Sequence, residues 1–281
     1  MMGSESVAAL FIFFVVSCNG FPAAEQYWDG KWFPHQPNQP DVNPTVEIKT
    51  DHKAHRGHLW DPNHGVVMGV SDPNCDDAKT NLTIDWLDNA ENYTCLEDKH
   101  LFAPSYDIRP ELSTDHIPLK YSAPHYCMNE AIPYNTIIPT FGPHRPLWAK
   151  YGEYKFVPRQ RWIHNLEHGT IVMLYHPCAN QEEVKLLKSI VKSCLYRHVI
   201  TPYNLLSTTR PLALVTWGQR LEMSKVATEV AIDFIKEHAL KGPEQTSRDG
   251  QYDYLLLEHA EVPAGSNIND TLLCPQGVLK M

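Results

Sequence analysis

The sequence predicts an α+β fold, with a mixed sheet, two amphipathic helices and disulfide bonds. Two strand–helix units follow one another in the second half of the chain, and extra strands and many loops surround them. With 43% hydrophobic residues among 281, the chain can bury a sizeable core, and its 22 prolines indicate abundant irregular structure. The same order of elements also suits an α/β three-layer arrangement, which stays open as the alternative.

The first strand–helix unit starts after Gly169. Residues 170–175 are rich in β-branched and aromatic side chains and end before Pro177, so they predict a buried strand. Asn180 is the predicted N-cap of the following helix, because its side chain can accept from free N–H groups and two glutamates lie in the first turn. One face of this helix is apolar, and it consists of Val184, Leu187, Ile190, Val191 and Cys194.

The second unit has the same order. Residues 211–217 predict another buried strand, and Ser224 is the predicted cap of a helix whose apolar pattern continues up to Gly242. Residues 252–262 predict a closing strand. The apolar stripe of the helix, which we interpret as a core face, consists of Val226, Ala227, Val230, Ala231, Phe234 and Ile235.

The chain divides into three predicted parts: a signal peptide (1–20), a Pro- and His-rich arm with a glycosylated, disulfide-tied excursion (21–114), and a compact α+β domain (115–281). Residues 7–16 form an apolar run that ends in small residues, which is typical of a signal peptide cleaved after Gly20. A buried strand is the alternative interpretation of this run. No stretch of 18 apolar residues occurs, so the sequence predicts no membrane span.

Cysteine usage agrees with export. Without Cys18 of the signal peptide, an even number remains, and three disulfides are expected in an oxidising compartment. The sequence does not fix their connectivity, but the pairs Cys75–Cys95 and Cys178–Cys194 would close short loops and are our first prediction. A thiolate zinc site is the weaker alternative, because no CxxC pair occurs. The six cysteines are Cys75, Cys95, Cys127, Cys178, Cys194 and Cys274.

Glycosylation motifs and net charge also point to a secreted, extracellular protein. Asn81, Asn92 and Asn269 each begin an Asn-x-Thr sequon, and such sites are glycosylated on secreted chains. The net charge of −9 argues against nucleic acid as a partner, because nucleic-acid binders concentrate Lys and Arg. An extracellular protein partner stays possible, and the oligomeric state is not predicted.

The segment His164-Asn-Leu-Glu167-His168 contains the H-x-x-E-H pattern of inverted zinc-protease motifs. On a helix, His164 and His168 share one face and can ligate one zinc ion. Glu167 is then the candidate catalytic residue, since it could polarise a metal-bound water. A hydrolase needs a third ligand, for which Glu237 on the second predicted helix is one candidate.

A third histidine strengthens the metal hypothesis. His144 follows Gly142 and Pro143 in a rigid turn, which can hold a ligand in place at little cost in entropy. His144, His164 and His168 would form a three-nitrogen site suited to zinc or copper(II) in an oxidising compartment. The alternative is a network of buried, hydrogen-bonded histidines in which Glu167 fixes one tautomer.

Other histidines give weaker signals. His125 and His176 lie beside Cys127 and Cys178, which are expected to pair in disulfides. Glycines and prolines surround a second cluster and argue against a helix, so we interpret its members as solvated loop histidines rather than a second metal site. These are His52, His55, His58 and His64.

Several motifs carry a resemblance to a known family. The chain resembles an uncharacterised secreted domain family, which occurs in bacterial exported proteins and in tumour protein p53-inducible protein thirteen. The similarity extends over residues 117–262 and implies the fold and the compartment, but no reaction. Ile138 and Phe141 replace the Pro and Ser that are usual before Gly-Pro-His. The motifs are Pro139-Thr-Phe-Gly142-Pro143-His144, Trp148, Gly152-Glu-Tyr154, His164-Asn-Leu-Glu167-His168-Gly169 and Trp217-Gly218.

These observations predict a secreted protein of unassigned activity with a candidate divalent-metal site of His144, His164, His168 and Glu167. A non-enzymatic extracellular interaction protein linked to growth suppression, with the cluster as a structural network, is the first alternative. A zinc-dependent hydrolase is the second. The sequence contains no G-x-S-x-G elbow, P-loop, dinucleotide fingerprint or EF-hand loop. It does not decide whether the protein is an enzyme, but it favours a protein without enzymatic activity.

Overall fold

The structure, a computed structural model, describes residues 60–275. The predicted signal peptide, most of the Pro- and His-rich arm, and His52, His55 and His58 lie outside these residues. The strands are β1 (Trp60–Asp61), β2 (Gly65–Val66), β3 (Glu111–Thr114), β4 (Gly152–Tyr154), β5 (Ile171–Tyr175), β6 (His198–Pro202), β7 (Leu212–Thr216), β8 (Gln219–Met223) and β9 (Leu256–His259). The α-helices are α1 (Arg159–Glu167), α2 (Gln181–Cys194) and α3 (Thr228–His238).

Seven of these strands form one mixed sheet in the order β3-β8-β7-β5-β6-β4-β9. β6 is parallel to both β4 and β5, and the other neighbours are antiparallel. β1 and β2 form a separate two-stranded hairpin. The predicted α+β fold with a mixed sheet is therefore confirmed.

Both faces of the sheet are covered, because alternate residues of a strand point to opposite sides. Ile171 and Met173 of β5 lie in one core cluster with the apolar faces of α2 and α3. Val172 and Leu174 lie in the second cluster, which includes the apolar side of α1. A strand that is buried on both faces is expected to be continuously apolar, as β5 is.

The helix boundaries agree with the sequence in one case and differ in the other. Asn180 caps α2 as predicted, because its Oδ1 accepts from the backbone N–H groups of Glu182 (3.0 Å) and Glu183 (3.2 Å). The predicted cap at Ser224 is wrong, since α3 begins at Thr228 and no side chain caps it. The buried Ser224 hydroxyl instead accepts from the backbone N–H of Ser105 at 3.1 Å.

Three disulfides join Cys75 to Cys127, Cys95 to Cys178 and Cys194 to Cys274. The six predicted cysteines are therefore paired, but both predicted short-loop pairings are wrong. Backbone hydrogen bonds between segments far apart in the sequence lie next to two of these disulfides. The N–H of Met128 donates to Cys75 O, and that of Cys274 donates to Cys194 O, each at 2.8 Å. Tertiary packing, rather than separation along the chain, selects the partners.

Three buried arginine–aspartate pairs connect loops to the sheet and helices. Arg161 of α1 donates to Asp76 at 2.9 Å, and both side chains are fully buried. The other two pairs are Arg145 with Asp85 and Arg197 with Asp270. Asp76 and Asp85 belong to the predicted excursion, so these pairs and two of the disulfides tie residues 75–95 to the remainder of the described chain. Between residues 60 and 275, no helix is long and apolar enough to cross a membrane.

We expect Asp76→Asn to lower the free energy of unfolding by about 3–5 kcal/mol, because it leaves the buried Arg161 charge without a counter-charge. Urea unfolding of the oxidised protein measures this change. The control is Glu182→Gln, which removes an exposed ion pair to Lys185 and should cost less than about 1 kcal/mol. Equal effects of the two substitutions would contradict the structural role of the buried pair.

Candidate metal centre

Helix α1 carries His164 and Glu167, and His168 follows as its C-cap, so the helical condition of the sequence prediction is met up to the last residue of the motif. The helix follows Pro158 and ends with His168 at the C-cap and Gly169 at φ +84°. A side chain at Gly169 would meet the backbone of Leu240 at 2.7 Å as well as straining this φ. The C-terminal end of α1 therefore packs directly against the loop that follows α3.

An isolated parallel bridge places His144 beside the segment of His125, near the same helix. The His144 N–H donates to Pro124 O at 3.2 Å, and the Tyr126 N–H donates to His144 O at 3.0 Å. This short parallel bridge places His125 beside His144, with ring centroids 4.9 Å apart. The His164 ring lies 4.9 Å from His125 and 4.4 Å from His144.

Four buried side chains offer one ligand atom each within 4.8 Å of one another: His125, His144, His164 and Glu167. We call this set the four-residue cluster. His144, His164 and Glu167 were predicted members, and the structure brings them together. His168 is outside the set, although its ring lies 4.7 Å from that of His164. His125 takes a place that sequence reasoning gave to His168.

Backbone carbonyls fix the protons of these imidazoles. Nδ1 of His125 lies 2.7 Å from Val66 O, that of His144 lies 2.9 Å from Gly142 O, and that of His164 lies 2.6 Å from Arg145 O. Because a carbonyl oxygen can only accept, each Nδ1 must donate. In the neutral rings the lone pair is therefore on Nε2, which is the arrangement found where outer-shell carbonyls orient metal-ligating histidines.

The lone pairs have no hydrogen-bond partner among residues 60–275. Nε2 of His125, His144 and His164 and Oε2 of Glu167 are all buried and unsatisfied. Nε2 of His144 and Oε2 of Glu167 lie 3.1 Å apart, but their orientation does not make a hydrogen bond. Neighbouring ligands of a tetrahedral ion with bonds of 2.0–2.1 Å lie about 3.3 Å apart, so this spacing fits two atoms that face a common point.

Burial sets the charge of the cluster. Desolvation lowers the pKa of His125 and of His144 to about 3 and holds the pKa of His164 well below its usual value. Desolvation also raises the pKa of Glu167, against the opposing effect of nearby histidines. The imidazoles are therefore neutral at pH 7, which is the state that ligates metals.

A further histidine and a carboxylate lie at the edge of the cluster. His64, on the β1–β2 hairpin, is only 7% exposed, and its ring stacks on His125 at 5.0 Å. Its Nδ1 lies 3.2 Å from Asp61, and its Nε2 lies 3.0 Å from Oε1 of Glu244. The interpretation of His64 as a solvated loop histidine is therefore wrong, because the hairpin folds over the cluster.

The loop after α3 fixes Glu244 against α1. The Glu244 N–H donates to Glu167 O at 3.1 Å, and the Leu240 N–H donates to Gly169 O at 2.8 Å. At Gly242, an added Cβ would lie 2.1 Å from Glu167 O, so only glycine permits this approach. Periodicity in α3 gives no sign of this contact, and the sequence prediction missed Glu244.

Two other candidates are not part of the cluster. Glu237, proposed from the sequence as a third zinc ligand, has a 71% exposed side chain beside His238, because it lies on the outer side of α3. His176 accepts from the Cys178 N–H at 3.1 Å through Nδ1, and its Nε2 lies 3.3 Å from Glu97. It belongs to the region of the Cys95–Cys178 disulfide.

The lowered histidine pKa values predict how the metal-free protein responds to acid. Below about pH 6.5 the unfolded chain takes up protons on histidines that stay neutral in the folded protein until about pH 3. The contribution to stability is fully present above pH 6.5 and falls as the pH drops, by up to about 1.4 kcal/mol per pH unit for each such histidine. The raised pKa of Glu167 has the opposite effect on stability, because the folded protein takes up this proton before the unfolded chain does. The several histidines outweigh this single carboxyl group.

Urea unfolding in the presence of a chelator, at a series of pH values between about 7.5 and about 4, measures this slope. His144→Gln removes one of the titrating rings without removing its polarity, so the slope should become shallower. A stability that does not change over this range would contradict the burial of neutral rings.

Comparison with known proteins finds similarity to one family of unassigned function over part of the chain. No curated protein matches the chain, and no solved structure matches it. Residues 125–250 match the model of a family described as Protein of unknown function (DUF3105). This range lies within the residues for which the sequence predicted a family resemblance, and it contains His125, His144, His164 and Glu167. The part of the chain that is similar to DUF3105 therefore holds the complete four-residue cluster.

Proposed function

We propose that the protein is exported and binds a divalent transition-metal ion at His125, His144, His164 and Glu167. The observation that carries the proposal is the convergence of three Nε2 lone pairs and one carboxylate oxygen, all buried and without a partner in the described part of the chain. With Nδ1 of each ring used by a carbonyl, the cluster consists of acceptors when Glu167 is ionised. Acceptors cannot satisfy one another, whereas one cation can satisfy all four.

The hydrogen-bond network that the sequence left open is less favourable. A proton on Glu167 would satisfy one imidazole and leave two Nε2 atoms unpaired. Each unpaired buried group costs about 1–3 kcal/mol, which is a large share of the 5–15 kcal/mol typical of a folded protein. The cluster is therefore better explained as a ligand set than as a network that stabilises the core.

The donor set favours zinc or copper(II). Three imidazole nitrogens and one carboxylate oxygen suit either ion, and neither requires thiolates. The six cysteines are paired in disulfides and supply no ligand. When bound, the ion would supply Lewis acidity and positive charge.

The same geometry argues against the zinc-hydrolase hypothesis. Structural sites are closed by four protein ligands, whereas catalytic sites keep a position open for water. Glu167 lies among the ligand atoms, where it would bind the ion instead of activating a water beside it. We therefore propose a role in holding the metal, and we assign no reaction to Glu167.

Export is supported by the three disulfides, which form and persist in oxidising compartments. The proposed leader (1–20) and the sequons at Asn81, Asn92 and Asn269 agree with this compartment. The resemblance to the secreted domain family that includes tumour protein p53-inducible protein thirteen implies the same compartment.

Metal content tests the central proposal. We expect the protein purified from a secreting host to contain zinc or copper, measured by inductively coupled plasma mass spectrometry. His144→Gln should weaken binding by more than about 100-fold, since even outer-shell substitutions cost 10–100-fold in affinity. Equilibrium dialysis against zinc measures the change.

The matched control is His198→Gln. His198 is also fully buried, donates through Nδ1 to a carbonyl (Leu195 O, 2.8 Å) and has an unpartnered Nε2, but it is not a member of the cluster. It should retain the metal. A wild-type protein that binds neither zinc nor copper(II), or a His144→Gln variant with undiminished affinity, would refute the proposal.

Glycan analysis tests export. Asn81 and Asn269 are exposed and Asn92 is partly exposed, so all three are accessible for glycosylation. We expect Asn81→Gln, Asn92→Gln and Asn269→Gln each to lower the mass of the secreted chain by one glycan on a denaturing gel. Asn74→Gln, an exposed asparagine outside any sequon, is the control. A chain that stays in the cytoplasm, or one unchanged by a peptide N-glycosidase, would contradict the assignment.

A further inference from the structure

We propose that the β1–β2 hairpin is a lid over the metal site, and that the ion enters and leaves when this hairpin opens. This inference rests on the proposed function, because it concerns exchange of the ion at the same four-residue cluster. The contact between His64 of the hairpin and Glu244 of the loop after α3 is the latch. The latch then sets how fast the ion exchanges, whereas the four ligands set how tightly it binds.

Solvent does not reach the ligand atoms in this structure. His144 and His164 are fully buried, Glu167 is 1% exposed and His125 is 5% exposed. The Nε2 and carboxylate oxygen atoms that would bind the ion are themselves buried. An ion can therefore reach the cluster only after part of the surrounding structure moves. Local opening of this kind occurs in elements that have few buried contacts.

The hairpin lies directly against the ligand His125. The His64 ring stacks on the His125 ring with centroids 5.0 Å apart, and the His64 carbonyl accepts from the His125 N–H at 2.9 Å. Val66 O accepts the Nδ1 proton of His125 at 2.7 Å. Opening of the hairpin would therefore uncover His125 and withdraw the carbonyl that fixes its proton. His125 should be the first ligand to leave the ion.

The hairpin is held less firmly than the other elements around the site. Each of its strands has two residues, and a two-stranded hairpin is at best marginally stable by itself. By contrast, α1 packs in the second core cluster, and the Cys75–Cys127 disulfide ties the segment of His125. Arg145, next to His144 in the chain, is held by its buried pair with Asp85. Opening is therefore expected at the hairpin.

Two carboxylates hold the hairpin closed through the His64 ring. Nε2 of His64 lies 3.0 Å from Oε1 of Glu244, and Nδ1 lies 3.2 Å from Oδ2 of Asp61. The Asp61 contact, which is within the hairpin, orients the ring, and the Glu244 contact joins the hairpin to the loop after α3. Glu244 is itself fixed to the end of α1, because its N–H donates to Glu167 O and its carbonyl accepts from His168.

A second tie and an anchor complete the lid. The Ser122 hydroxyl donates to Asn63 O, in the turn of the hairpin, at 3.0 Å. After β2 the chain is anchored at Gly69, whose N–H donates to Pro146 O and whose carbonyl accepts from Arg248, each at 2.9 Å. The hairpin can therefore move about this anchor while the residues beyond Gly69 stay in place.

The kinetics of zinc transfer test the lid. The full chain from a secreting host is loaded with zinc and mixed with an excess of a coloured chelator in a stopped-flow instrument. If opening of the hairpin limits release, the rate should not depend on the chelator concentration. Glu244→Gln keeps the size and the backbone contacts of this residue but removes the charge of the latch. Release and uptake of zinc should both become about tenfold faster.

The affinity separates the latch from a ligand. The dissociation constant of the Glu244→Gln variant, measured by equilibrium dialysis, should equal that of the wild type, because the zinc-loaded and zinc-free proteins both contain the latch. A ligand substitution such as His144→Gln should instead weaken binding. These two variants therefore change different quantities.

Glu153→Gln is the matched control. Glu153 is a partly buried carboxylate on β4 that pairs with Lys188 and Lys192 of α2. Its substitution should leave both rates of zinc transfer unchanged, even where it lowers the overall stability. Ser122→Ala, at an exposed position, removes the second tie and should speed release about threefold. This variant tests the lid if Glu244→Gln fails to fold.

Amide hydrogen exchange measures the opening without a metal. In the chelator-treated protein, the hydrogen bond to His64 O protects the His125 N–H. This N–H should exchange about tenfold faster in Glu244→Gln than in the wild type. The N–H groups of β5, in the middle of the sheet, should exchange at an unchanged rate, because the hairpin opens without unfolding the core.

Release in proportion to the chelator concentration, or unchanged rates in Glu244→Gln, would overturn the lid and leave the metal site intact. Equal acceleration of exchange at His125 and in β5 would also overturn it. A wild type that takes up no zinc would overturn the proposed function, and the lid with it. Faster release from the Glu244→Gln and Ser122→Ala variants, at an unchanged dissociation constant, would support the lid.

Discussion

The candidate metal centre depends on one constraint: a backbone carbonyl accepts the Nδ1 proton of each imidazole. This constraint leaves the lone pairs of His125, His144 and His164 on Nε2, facing one another and the Glu167 carboxylate. Acceptors that are buried together cannot form hydrogen bonds with one another, whereas a cation can bind all of them. The proposed function and the unsatisfied atoms both follow from this arrangement, whereas burial is what lowers the histidine pKa values.

Arg145 connects the segments that carry His125 and His164. Its carbonyl orients His164, while its buried guanidinium pairs with Asp85 and donates to the carbonyls of Tyr126 and Cys127, next to His125. One residue thus contacts His164 and the segment of His125, two candidate ligands. These contacts also explain why the charged Arg145 side chain lies in the interior, where Asp85 supplies the counter-charge. A guanidinium can bond several carbonyls in fixed directions, whereas an apolar side chain would leave those carbonyls unpaired.

Local patterns in the sequence were sufficient for the central elements and for part of the site. β5, β7 and α2 follow from apolar runs and from the Asn180 cap, and α1 places His164 and Glu167 as the helical motif requires. The disulfide partners, His125 and Glu244 could not be predicted in this way, because long-range backbone contacts position them. His125 was discounted for its proximity to Cys127, although the Cys75–Cys127 disulfide holds its segment in place. This disulfide therefore helps to position a candidate metal ligand.

Most residues of the site lie on loops and not on the sheet, so a bound metal ion would connect segments of the chain that have little regular structure. His64, His125 and His144 lie on the β1–β2 hairpin and on irregular segments, and only His164 and Glu167 lie on a regular helix. Such segments have few backbone hydrogen bonds of their own, so disulfides and buried ion pairs must hold them. An ion bound by His125, His144 and α1 would join three distant segments and favour the folded state over the unfolded chain. Metal binding and the ordering of these loops are then one thermodynamic process, in which each strengthens the other.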